Sequence, residues 1–199
     1  MKILQISSVP ITYPGGTERL IWEISKRLAK RNEVTILQTT LYDPQKKGGI
    51  SYKEGVKIIT IKNALCLGGY GFSSEAIRWL RKNWKNYDVV HCHGYNRFLS
   101  EFTIHYLKGK IPIVFTAEGF MHTKKNYLFK IAHDLSIGRF IKNADICTAL
   151  TKLDFKNYKK LGVKKEKIVE IPGGVDTKNF FKMNKKGVEL FKKRYKLKK

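Results

Sequence analysis

The sequence is short of acid. Sixteen Asp and Glu face 40 Lys and Arg, a formal net charge of +24 over 199 residues. Such an excess points to an anionic neighbour: a membrane, a nucleic acid or an acidic partner. Arginine is scarce as well, with eight of the 40 cations. Bidentate phosphate recognition relies on arginine, so the charge reads as a diffuse, hydrated lysine surface. An ordinary solvated surface fits the same numbers. Cysteine is limited to Cys66, Cys92 and Cys147, widely spaced and odd in number. That excludes a disulfide framework and suits buried, reduced thiols in the cytoplasm. No apolar run reaches the ~18 residues that crossing a membrane needs. The opening "MKILQISSVP" carries too short an apolar run for a signal peptide and reads as a strand. The dinucleotide pattern G-x-G-x-x-G and the P-loop pattern are both missing, which argues against an ordinary NAD or ATP site. Helix-turn-helix, finger and aromatic RNA-binding patterns are missing too, so nucleic acid is the least supported partner.

What is present alternates. Short β-branched runs at 2–7, 33–39, 56–61, 88–92, 111–117, 145–150 and 167–171 read as strands. Between them lie helical patterns at 17–30, 74–85, 95–107, 124–142 (interrupted near Gly138) and 151–161, with Thr151 as N-cap and Asp154 in the first turn. The stretch holding Asp43-Pro44 and Gly48-Gly49 reads as a loop. The strands show little clean alternation, as in a parallel sheet buried on both faces. The expected fold is a doubly wound, Rossmann-like α/β sheet of about seven strands spanning residues 1–180. From 181 to 199 the composition turns basic, with nine cations and the single acid Glu189 from Lys182 onward, and reads as a linker with a short helix.

In an open parallel sheet, ligands collect beyond the carboxyl ends of the strands, and four loops there hold the informative residues. Pro14-Gly15-Gly16-Thr17 sits where a strand hands over to a helix. Its bare backbone suits close approach of an anion at a helix N-terminus, or simply a tight turn. In "HCHGYN", strand alternation puts His91 and His93 on one face and Cys92 on the other, with His93 and Gly94 reaching the cleft. His91 reads as a core histidine. A zinc site would need a third and fourth ligand, and no spaced partner stands out. In "FTAEGF", Glu118 can accept hydrogen bonds from sugar hydroxyls or take a proton, or can serve as a helix N-terminal acid. "IPGGVDTKNF" reads as the exit from the domain. The helix at 74–85 sets Arg78, Arg81, Lys82 and Lys85 opposite an apolar face, as on a membrane-surface helix or on a solvated helix packed on the sheet.

These motifs, in this order and spacing, resemble the N-terminal domain of glycosyltransferase family 4, the retaining GT-B enzymes. The carriers are Gly15-Gly16-Thr17-Glu18, "LAKRNEVTIL", "DVVHCHG" and "ADICTALTKLDFKNYKKLGVKKEKIVEIPGGVDTKNF". The resemblance implies two Rossmann-like domains facing across a cleft. The N-terminal one binds the acceptor. The C-terminal one, or a separate partner chain, binds the nucleotide sugar and carries an E-x7-E acidic motif. No cofactor and no divalent metal are implied. Glu118 and His93 are then the catalytic candidates, and Gly15, Gly16, Thr17, Gly94, Tyr95, Asn96 and Gly119 the substrate-binding ones, with Gly15 and Gly16 beside the donor diphosphate. Two departures stand out: Glu118 where the family usually has histidine, and Gly173 where asparagine is usual. The 199 residues match one half of such an enzyme, so transfer by this domain alone is expected to be negligible. A sugar or lipid-phosphate acceptor, cytoplasmic location and peripheral contact with an anionic membrane complete the expectation. The alternative is a stand-alone acceptor-binding or membrane-docking subunit.

Overall fold

The computed structural model describes residues 1–63, 65–67, 70–120, 127–177 and 184–197. Its centre is β1 (Lys2–Ser7), a run of apolar residues broken only by Gln5 and buried from Ile3 onward. β2 (Glu33–Thr39) lies parallel on one side of it and β7 (Val89–His93) on the other. Beyond β2 comes β4 (Val56–Ile61), and beyond that β3 (Gly49–Lys53). Beyond β7 come β8 (Ile113–Thr116), β9 (Ile146–Ala149) and β10 (Ile168–Glu170). The order is β10-β9-β8-β7-β1-β2-β4-β3. All pairings are parallel except β3 with β4. The chain reverses its direction of travel between β1 and β7, which opens a crevice at their carboxyl ends.

The sequence reading missed β3. Its turn signals at Asp43-Pro44 and Gly48-Gly49 are real, but a fully exposed edge strand has no burial pattern to betray it. A small hairpin, β5 (Leu65–Leu67) with β6 (Tyr70–Phe72), also went unread.

Helices cover the sheet unequally. α1 (Gly16–Leu28) places Ile21 over Ile3, Val34, Ile36, Val56 and Ile58 on one face. The other face carries α2 (Ser74–Asn83), α3 (Phe98–Leu107) and α5 (Lys152–Lys160) over one continuous core from Ile59 to Ile168. On the α1 side, Val114, Ile146 and Thr148 are only half-buried and Val169 is exposed. Both-faced burial therefore holds for β1, β2 and β4, which α1 covers, and fails among the described residues for β8 to β10.

Helix starts follow local chemistry. Ser73 caps α2 by accepting from the Ala76 amide at 3.2 Å. Thr151 and Asp154 form a reciprocal capping box on α5, at 3.1 and 2.9 Å. The expected helix at 95–107 begins only at Phe98, because Gly94 and Asn96 adopt left-handed backbone that no helix tolerates. The pattern from 124 resolves into α4 (Tyr127–Leu135) and a 3₁₀ segment at 137–143, broken before Gly138 as expected; residues 124–126 lie outside the described residues. α6 (Lys185–Arg194) follows, and the 180/181 boundary also lies outside them. Cys92 and Cys147 are buried free thiols, and burial pushes both upward, Cys147 to about 12. The Cys66 side chain is not among those described.

Candidate active site

The loop after β1 is held by β2. The Thr39 hydroxyl donates to Ser8 O at 2.5 Å, and Gln38 Oε1 accepts from the Ile11 amide at 2.9 Å. That fixes where Gly15 and Gly16 stand, and the two glycines differ. Gly15 is the N-cap of α1 and has no side chain to cap with. A Cβ there would lie 1.9 Å from Glu18 Oε2, so the missing side chain leaves room for the chain's own carboxylate. Gly16 has nothing within 4 Å of its Cβ position. It opens onto a cavity of about 370 Å³ walled by Arg19, Leu20, Glu23 and the turn Gly173–Asp176. Of the pair, Gly16 is the one whose backbone a ligand can reach.

His93 ends β7 with its ring fully enclosed. Its Nε2 lies 2.6 Å from Gln5 Oε1 and its Nδ1 2.7 Å from Glu118 Oε1. An amide oxygen only accepts, so Nε2 carries the hydrogen and Nδ1 offers a lone pair. Glu118 must then supply the proton. Burial drives both groups the same way, His93 down to about 3 and Glu118 up to about 8, against an opposing pull on Glu118 from the Thr17 hydroxyl. Near neutrality the contact is a hydrogen bond between a neutral imidazole and a protonated carboxyl. Glu18, buried nearby, is also pushed upward, chiefly by burial and least by Glu118 as that carboxyl ionises, while its own amide and Arg97 act against the shift.

His91 shares His93's strand face, and the two rings are 3.9 Å apart. Its Nε2 meets Thr116 Oγ1 at 2.8 Å, and Thr116 in turn bonds Thr148. Burial and the neighbouring His93 hold His91 well below the usual histidine range. It is half-buried and lines a second cavity of about 250 Å³ with Leu20, Ile24, Leu150 and Pro172. The core reading of His91 therefore holds only in part.

Tyr95 and Asn96 turn inward. Tyr95 donates to Asp134 Oδ1, and Asn96 accepts from the Tyr70 hydroxyl. The Asn96 amide donates to Glu101 Oε1 at 2.9 Å, and the same oxygen meets His133 Nε2 at 2.8 Å. These two residues shape the wall from behind. Gly94 is buried and left-handed, and a Cβ there would press on Arg97 Cγ at 2.8 Å. Gly119 is exposed and left-handed with open space around it. Among the described residues no three His, Cys, Asp or Glu side chains group as metal ligands.

Strain gathers at this edge. Non-glycine residues with positive φ are Tyr42 (66°), Asn96 (65°) and Glu118 (57°), after β2, β7 and β8 respectively. Among the described residues Glu54 and Lys196 are the others, in a hairpin turn and after α6. Such positions cost about 1–3 kcal/mol each and persist where surroundings over-determine them. Glu118 is held in this way: the Ala117 amide before it donates to the buried Tyr158 hydroxyl at 2.8 Å, and that hydroxyl donates to Thr148 O at 3.1 Å.

Sequence reasoning missed Gln5, Arg97, Tyr42 and Tyr158. For Gln5 a signal existed, since an amide inside the strand run "KILQIS" must find a partner when buried. For the other three, chain folding alone brings them to the crevice.

The chain matches the sequence profile described as Glycosyltransferase Family 4 over residues 14–179. No curated protein sequence matches it. Among solved structures, HepE of Anabaena in complex with UDP-glucose superimposes with a TM-score of 0.67 at 15% identity, covering 98% of this chain and 50% of that one. The α,α-trehalose-phosphate synthase (UDP-forming) of Burkholderia xenovorans, in complex with glucose-6-phosphate, gives 0.60 at 12% identity, with 96% and 55% covered. The sucrose-phosphate synthase of Thermosynechococcus elongatus gives 0.54 at 15%, with 97% and 99% covered. The chain thus spans about half the length of HepE. A mostly parallel sheet with its crevice between β1 and β7, and a profile match over most of the length, lead to one assignment: the chain belongs to glycosyltransferase family 4 and folds as a Rossmann-like half of the GT-B type.

Proposed function

We propose that this chain is the acceptor-binding half of a retaining glycosyltransferase that moves a sugar from a nucleotide-sugar donor to a sugar or lipid-linked acceptor. The family 4 match over residues 14–179 carries this reading. The exposed backbone of Gly16 and the amides at the start of α1 face the donor diphosphate, where fixed N–H dipoles stabilise charge growing on the leaving group. Gly15 and Thr17 support that role indirectly, Gly15 by admitting Glu18 and Thr17 by holding Glu118. Glu118 and His93 form the proton-handling pair. Glu118 takes the acceptor's hydroxyl proton in its ionised fraction, which grows as pH nears about 8, and His93, fixed by Gln5, sets the orientation and proton content of the carboxyl. Gly119 and Gly94 give the loops their shape, and Tyr95 and Asn96 back them. Neither a cofactor nor a divalent metal enters this scheme. A C-terminal GT-B domain, in the same chain or a partner, brings the donor, and the isolated domain transfers negligibly.

The test is transfer from a panel of nucleotide sugars to a panel of glycoside and lipid-linked acceptors, with and without the C-terminal half. Transfer that needs both halves supports the reading. No transfer with both halves present, across both panels, would sink it.

A docking role has its own support. α6 exposes Val188 and Phe191, and its C-cap Tyr195, among Lys192, Lys193 and Arg194, and α2 exposes Arg78, Arg81 and Lys82. Both suit peripheral contact with the anionic cytoplasmic face of a membrane. Among the described residues no helix is long and apolar enough to cross one. Co-sedimentation with anionic vesicles that fades as salt rises supports docking; equal binding to neutral vesicles rejects it.

A further inference from the structure

Two tyrosines stand at the rim of the crevice, and the proton-handling scheme does not use them. Tyr13 is 38% exposed and Tyr42 46% exposed. Their ring centroids are 5.7 Å apart and their planes are tilted by 40°, so the pair forms an open V. The Arg97 guanidinium lies 5.4 Å from the Tyr42 centroid. The charge of Arg97 is felt by the buried Glu18, which lies in the same crevice as Glu118. The aromatic rim and the buried carboxyls therefore belong to one crevice.

The position of Tyr42 is a poor one for a tyrosine. The turn is closed by the Asp43 amide donating to Thr40 O at 3.0 Å, and Tyr42 occupies it with φ +66°. Glycine or asparagine is at ease there and a bulky side chain is not. The neighbouring Leu41 is buried, while the Tyr42 ring projects outward. The ring adds little to the core and strains the backbone, so its worth lies at the surface.

We propose that Tyr13 and Tyr42 form a stacking platform for a neutral pyranose ring, so that the acceptor enters the crevice as an uncharged glycoside. An aromatic face is electron-rich, and the C–H face of a pyranose is apolar and slightly positive. The platform matches that ring face, while Arg97 and the carboxyls beyond it meet the hydroxyls by hydrogen bonds. The electron-rich ring faces offer an anionic phosphate nothing, so the platform itself favours a neutral sugar ring. The inference rests on the transferase reading for the word acceptor, but the platform can be tested without it.

The experiment is saturation-transfer difference NMR on the 199-residue chain. The probes are methyl glycosides of glucose, galactose, mannose and N-acetylglucosamine, with glucose 6-phosphate and inorganic phosphate as charged comparators. Irradiating tyrosine ring protons should saturate the C–H protons of at least one neutral glycoside. Tyr42→Gly should reduce that transfer at least fivefold and leave Tm unchanged or raised, because glycine relieves the turn. Tyr13→Ala should reduce it similarly, and Tyr42→Phe should retain it. Undiminished transfer in Tyr42→Gly and Tyr13→Ala, no transfer to any neutral glycoside, or stronger saturation of glucose 6-phosphate than of every neutral sugar would overturn the proposal. A fall in Tm for Tyr42→Gly would mark the ring as structural and count against it equally. Failure of the transferase reading looks different: glycosides bind on the tyrosines, yet no nucleotide sugar reacts when the C-terminal half is added.

Discussion

The two ends of the sheet are opposites. At the carboxyl end, Glu18, Glu101 and Glu118 are turned inward and withheld from solvent, with strained loops around them. At the amino end of β8 to β10, Lys108, Lys142, Lys164 and Lys167 line an open cavity of about 420 Å³. Only Lys167 is tied down, donating to Ala144 O at 2.8 Å. A net charge of +24 thus describes the surface and misdescribes the crevice. Position counts for more than charge: a lysine at a solvated helix end is cheap to keep or lose, whereas a buried carboxyl depends on every neighbour.

The sharpest way to break that contrast is activity. In the intact enzyme, Glu118→Ala should lower kcat/KM by about 100-fold or more. Replacing all four amino-end lysines by serine should change it by less than about twofold in an assay with a soluble acceptor. Comparable losses from both variants would erase the distinction between the ends.

Stability comes next. Tyr158→Phe removes the group that receives the Ala117 amide and leaves that N–H buried and unpaired. Chemical denaturation should show a loss of about 1–3 kcal/mol. At the exposed start of α5, Thr151→Ala removes one half of the capping box and should cost about 1 kcal/mol.

A pH series sharpens the comparison further. The Glu118 carboxyl titrates at about 8 in the folded state, well above its usual range. Between the two values the folded chain holds a proton that the unfolded chain has released. The Glu118 contribution to stability should therefore fall as pH rises from about 5 to about 8, by at most about 1.4 kcal/mol per pH unit, while the buried His91 and His93 act in the opposite direction below about 6.5, so the readout is the difference from Glu118→Gln. Glu118→Gln holds no titrating proton, so its Tm should gain on the wild type across that window. Parallel Tm curves for the two proteins would show that the carboxyl is not held protonated.

The smallest effect belongs to the amino end. Single Lys108→Ser or Lys164→Ser exchanges should stay within about 0.5 kcal/mol of wild type. A larger loss from either would mean that this edge is built rather than merely solvated.

Much of the fold was legible in the sequence because burial leaves a pattern. β1, β2, β4 and β7 show as apolar runs, and Thr151 with Asp154 marks a helix start by side-chain chemistry alone. β3 was illegible because an exposed edge has no such pattern. At the site, Gly15-Gly16 and Glu118 drew attention as residue types at strand ends. Which glycine is bare depends on where the Glu18 side chain folds, and that is set by α1 in three dimensions. The left-handed turns at Tyr42 and Asn96 are equally silent, since neither residue type declares its φ. That is why Tyr95 and Asn96 read as the start of a helix when they close a buried network.

β3 has one more consequence. It is an edge strand, exposed along its length, with Ile50 and Tyr52 among its side chains. Its outer row of backbone groups is a template on which a second copy can pair. What opposes this is mutual repulsion between molecules of like charge, and that repulsion shortens in reach from about 10 Å at 0.1 M salt to about 3 Å at 1 M. Dissolved protein should thus stay monomeric in dilute buffer and assemble edge to edge in brine, the reverse of salting-in. Ionic strength, usually chosen for convenience, becomes the variable that governs the colloidal behaviour of this domain.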